Sequence, residues 1–145
     1  MTLADEYAKD WAAASASFAM GDISGVHAAL VGSGPDGPDD GTWAFQRNAS
    51  LIATGAMITA SVIAEDAGVP QGCGLWYAPI TNDMSELAAM TNELVVASLN
   101  GANSLPEMIT EYQLKHGSGL SVGLLVTMLK YYIGVVAAIA ARESR

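Results

Sequence analysis

Residues 119–141 read GLSVGLLVTMLKYYIGVVAAIAA, with Lys130 as the single charge among them. Residues 49–64, ASLIATGAMITASVIA, carry no charge at all. Both stretches lack proline and are rich in helix formers. A helix that is apolar all round has to be covered all round. A chain with two such helices must wrap other elements around them, or share their surface with a partner or a membrane.

The remaining sequence supplies the wrapping. Leu3, Tyr7, Trp11, Ala14 and Phe18 recur at steps of four, four, three and four, one face of a helix over about 3–20. Asp5 and Glu6 fall in its first turn, where the helix dipole favours negative charge. Gly21 stops this helix, and Asp22 is placed to cap a shorter one with Ile23, Val26, His27 and Leu30 inward. Together they make a helical hairpin over 3–31. The acidic run 32–41, GSGPDGPDDG, is a loop. A long helix over 43–66 follows, in which Ala56, Ala60 and Ala64 repeat at four and allow a neighbour to approach closely.

Residues 67–80, AGVPQGCGLWYAPI, form an apolar Gly- and Pro-rich loop that needs cover. Asn82 or Asp83 is expected to open a fourth helix to about Asn100, burying Met84, Leu87, Ala88, Thr91, Leu94, Val95 and Ser98. Ser104-Leu-Pro-Glu107 reads as a capping box. The helix it opens turns Leu105, Met108, Ile109 and Tyr112 inward and ends at Lys115 and His116 before Gly117. The last helix runs over 119–142, with Leu120, Leu124, Met128, Tyr132, Val135 and Ile139 on one side. The expected fold is all-α: one helical domain over 1–145, a bundle of five or six helices. Its central pair is 43–66 and 119–142, and the segments around Met57 and Met128 are expected to be hidden.

Composition narrows the function classes. The chain has 145 residues, 51% of them hydrophobic and 14% charged, with mean hydropathy +0.30. That is enough for a core, with apolar surface left over for a partner. Fifteen acidic residues against six basic ones give a net charge of −9. Nucleic acid is excluded as a partner, because its affinity comes largely from Lys and Arg neutralising phosphates. An anionic membrane surface is disfavoured for the same reason. Residues 119–141 are long enough to span a bilayer as a tail anchor. However, Lys130 near the bilayer centre costs about 2.5–3.5 kcal/mol, and Tyr131 and Tyr132 would lie far from the interface that suits them. With one cysteine and an acidic N-terminus, the expectation is a cytoplasmic protein.

Reactive side chains are sparse. Cys73 lies between Gly72 and Gly74, but nothing in the sequence places His27 or His116 beside it as a base. Two histidines and one cysteine at scattered positions give no metal-site spacing. Asp36, Asp39 and Asp40 lack the alternation and the terminal Glu of a calcium loop. Glu107, Glu111 and Lys115 form a solvated row with an i,i+4 ion pair. No catalytic residue, metal or cofactor is assigned.

The leading expectation is a non-enzymatic helical module for protein–protein interaction or self-association. Its partner is a second copy, in a homodimer burying part of the last helix, or another protein. The alternative is a small-molecule binding domain, possibly an enzyme, with an apolar pocket near Trp76, Tyr77, Lys130, Tyr131 and Tyr132. For Lys130 the simpler expectation is that its stem crosses apolar surface and its ammonium reaches water, or pairs with Glu86 or Glu93. A third reading is a tail-anchored or peripheral membrane protein through 119–141.

Overall fold

The computed structural model describes residues 3–31, 42–72, 85–101, 104–117 and 119–144, and every element among them is α-helical. There are six: α1 (Leu3–Ala19), α2 (Ile23–Val31), α3 (Thr42–Ala67), α4 (Glu86–Leu99), α5 (Leu105–His116) and α6 (Gly119–Glu143). The all-α bundle expected from the sequence is therefore the observed architecture. The acidic loop 32–41, most of the apolar loop, with Cys73, and Met84 lie outside the described residues.

The two apolar segments take the centre. α3 packs against α1, α4, α5 and α6, while α6 packs against α1, α3, α4 and α5. Leu51, Ile52, Ala56 and Ala60 of α3 are buried against a core that includes Leu124, Leu125, Met128 and Leu129 of α6. Side-chain pairings fix the helix directions. Asp66 at the end of α3 meets Arg142 at the end of α6. Leu87 at the start of α4 touches Gly123 at the start of α6. These three helices therefore run the same way. α5 returns against them, since its last residue His116 lies 3.3 Å from Glu86 at the start of α4.

The N-terminal hairpin closes one side. Gly21, at φ 75°, makes the turn that α1 needs, in a region most residues avoid. Asp22 then caps α2 by accepting the Gly25 N–H at 3.0 Å. Trp11 and Ala14 of α1 are fully buried, with Tyr7 and Phe18 packed at the margin. The Trp11 indole lies against Gly55 of α3, where a Cβ would fall 2.5 Å from the ring. Arg47 of α3 ties this corner together. It pairs with Asp10 of α1 at 2.7 Å and donates to the Leu30 and Ala29 carbonyls of α2 at 2.8 and 3.1 Å. Its guanidinium also stands over the Tyr7 ring, 5.8 Å from the centroid.

Four expectations need correction. Met57 is 56% exposed, so α3 has a solvent side after all, although Met128 is fully buried as expected. In α2 only Val26 is buried, and Ile23 (71% exposed) and His27 face outward. The contacts fall instead on Val26, Ala29 and Leu30, because the tight Gly21-Asp22 turn sets the rotation of α2. The described α4 begins at Glu86, not at Asn82 or Asp83, with Ser85 accepting the Ala88 N–H at 3.2 Å. Finally, Ser104 makes no side-chain cap bond. Its backbone, at φ −98° and ψ 11°, is outside the extended region that a capping hydroxyl needs, and Pro106 has no N–H to offer.

Candidate interaction surface

Three of the five proposed site residues are described. Trp76 and Tyr77 lie outside the described residues. Lys130, Tyr131 and Tyr132 follow one another on α6, and successive helical positions point about 100° apart. Lys130 is exposed. Tyr131 is half-buried, and that burial raises its pKa. Tyr132 turns inward, its ring edge-on to Trp11 with centroids 6.0 Å apart and planes at 65°. It is a packing residue. Neither expected carboxylate reaches Lys130: Glu86 faces His116, and Glu93 accepts the Tyr112 hydroxyl. Lys130 has no ion-pair partner among the described residues, and neither does Lys115 in the Glu107–Glu111–Lys115 row.

Polar chemistry concentrates in one small cleft between α4 and α5. About 250 Å³ in volume, it is bounded by Glu86, Glu93, Glu111, Tyr112, Lys115 and His116. The Tyr112 pKa is raised well above its ordinary value, first by burial and then by its hydrogen bond to Glu93. Its polar groups are largely matched to one another, and among the described residues no cluster of three His, Cys, Asp or Glu could hold a metal ion.

Two apolar features are larger. The first is the distal end of α6. At the start of α6 the outer face is covered, with Leu87 only 3.1 Å from the Cβ position of Gly123. α4 ends at Leu99, twelve residues after Leu87 and so level with about Val135. α6 continues to Glu143 without that cover. Gly134, Ala137, Ala138, Ala140 and Ala141 are exposed, and Val136 is 40% exposed. Around the Cβ position of Gly134 nothing lies within 4 Å.

The second feature is a groove along α3 and α5. Three adjoining depressions of about 660, 290 and 330 Å³ share Pro106 as a lining residue; among the described residues the first is lined by α5 alone, and the other two lie between α3 and α5. Ala49, Ala53 and Thr54 of α3 form its floor, and Tyr7 and Thr110 its walls. Met57 lies at one end and Leu114, 79% exposed, at the other. Glu107, Glu111 and Lys115 line the outer part. The sequence pointed to α6 through its missing solvent face, but not to the groove. Its residues are individually ordinary, and only the crossing of α3 and α5 brings them together. No protein-family model matches this chain, and neither a curated protein nor a solved structure matches it.

Proposed function

We infer that this chain is a non-enzymatic helical module that works by self-association. One observation carries the reading: the distal end of α6 is a run of uncharged residues, 134–141, with most of its surface open in a single copy. Burying apolar surface is worth roughly 25 cal/mol per Å², so such a face favours a partner over water. The scarcity of reactive side chains supports binding over catalysis. The test is the mass of the chain in solution across a dilution series, by light scattering or sedimentation. Association should be lost in Val136→Glu, which places a charge on the open face. A parent chain that stays monomeric at every concentration overturns the reading.

A second reading, insertion of α6 into lipid, has one observation in its favour. The segment Val122–Glu143 has mean hydropathy 1.9 in its most apolar stretch, of which only 22% is buried. Against it, the N-terminal half of α6 is core, and Lys130 lies on the side that lipid would touch. Co-sedimentation with neutral phosphatidylcholine vesicles distinguishes the two readings. Lipid insertion predicts that the chain pellets with them, and self-association predicts that it stays in the supernatant.

A further inference from the structure

We propose that the open end of α6 from one copy seats in the α3–α5 groove of a second copy. This rests on the self-association reading and specifies its partner surface. Ile133, Val136, Ala137 and Ala140 stand at i, i+3, i+4 and i+7, the spacing by which a helix presents apolar anchors to a groove. Ile133 is half-buried and the other three are exposed. Lys130 lies one turn before this strip on the same side, the one cation there, with no ion-pair partner among the described residues.

The groove offers the complement. Its floor and walls are small or apolar, and Glu107 and Glu111 stand at its outer part with Lys115, so the acidic groups there outnumber the basic one by two to one. From Pro106 to Leu114 is eight residues of α5, about 12 Å of helix, and the strip from Ile133 to Ala140 is seven residues, about 10 Å. The two surfaces share no residue, so one copy can use both. Seating both tails reciprocally closes a two-fold dimer, whereas one-way seating builds a ring or a chain. In either case the contact joins two different surfaces, which separates it from a pairing of α6 with α6.

That difference gives a complementation test. Thr110→Trp fills the groove at an exposed position and leaves the tail intact. Val136→Glu disables the tail and leaves the groove intact. Each variant alone should be monomeric in sedimentation, with helicity matching the parent by circular dichroism. An equal mixture should recover a complex of one copy of each and nothing larger. Ala137→Glu replaces Val136→Glu should the latter lose helicity, and Glu107→Lys/Glu111→Lys replaces Thr110→Trp likewise.

Charge swapping adds a second reading of the same contact. Lys130→Glu should weaken association at least about tenfold, and mixing it with Glu107→Lys/Glu111→Lys should recover most of that loss. A Thr110→Trp chain that associates like the parent overturns the proposal in favour of α6–α6 pairing. So does a mixture that stays monomeric while the parent associates, and in both cases self-association itself stands. A parent that is monomeric throughout, whether or not it pellets with vesicles, overturns both.

Discussion

Gly55 and Gly134 are both interior helix glycines, and the fold treats them in opposite ways. A Cβ on Gly55 would fall 2.5–2.8 Å from three atoms of the Trp11 ring, which is itself only 1% exposed and braced by Tyr132. Gly55→Ala gains about 1 kcal/mol of helix propensity. Overpacking against an immobile indole costs about 1–3 kcal/mol, so the net expectation is a loss of up to ~2 kcal/mol. Gly134 has open space where its Cβ would be, so Gly134→Ala should stabilise the isolated chain by roughly 0.5–1 kcal/mol. Urea unfolding of the two variants, at concentrations low enough to keep the chain monomeric, should move the midpoint in opposite directions at similar slope. An interior glycine in an apolar helix needs a reason. The sequence cannot assign the reason, because that depends on a tryptophan 44 positions upstream for Gly55 and on where α4 stops for Gly134.

At the scale of elements, α4 and α5 show how far a local motif can be trusted. Ser85 was not singled out by the sequence and forms a cap, while Ser104 sits in the sharpest capping signature of the chain and does not. Ser85→Ala should therefore cost about 1 kcal/mol, and Ser104→Ala should stay within about 0.5 kcal/mol of the parent. Thermal unfolding of the two variants checks the contrast. α5 and α6 carry a pH dependence. Tyr112 and Tyr131 both have pKa values raised above the ordinary 10.0, by burial in each case and also by Glu93 at Tyr112. As pH rises past 10.0, the unfolded chain releases these protons while the folded chain keeps them. The folded state then binds more protons, so stability falls with rising pH. This contribution is fully present below pH 10.0 and is lost progressively above it. Tyr112→Phe should make the alkaline decline in unfolding midpoint shallower than in the parent. An unchanged decline would mean that neither burial nor Glu93 raises the Tyr112 pKa in solution.

For the whole molecule, the sequence made the helices legible more readily than their arrangement. Periodicity identified each helix and much of the core, because a 3.6-residue repeat is a local property, but it did not single out Leu51, Ile52, Met90, Leu99, Leu125 or Leu129, which are buried. The direction of α3 relative to α4 and α6 was not legible, since the 18 residues between α3 and α4 carry no directional signal, whereas the short connections on either side of α5 already imply that α4 and α6 run the same way. Arg47 was missed for a related reason: among six scattered basic residues, nothing marks it out until α1, α2 and α3 converge. Its side chain is only 12% exposed. It answers Asp10, two carbonyls in the last turn of α2, where a cation is favoured by the helix dipole, and the face of Tyr7.

This one side chain therefore joins the N-terminal hairpin to the α3–α6 body. Removing it leaves Asp10 and the α2 carbonyls without their cation, so Arg47→Ala should cost roughly 2–4 kcal/mol, well beyond an exposed ion pair. Arg47→Lys should recover only part of that loss, because an ammonium cannot reach along both edges as a planar guanidinium does. Asp10→Asn should cost less than Arg47→Ala, since the backbone acceptors remain. The loss should also be uneven across the molecule. Native-state hydrogen exchange of Arg47→Ala should speed up in α1 and α2 before it does in the Leu51–Ala60 and Leu124–Leu129 core, as a separately opening unit would. Uniform acceleration throughout would show instead that hairpin and body unfold as one cooperative block, with Arg47 a component of the common core and not a hinge pin between two parts.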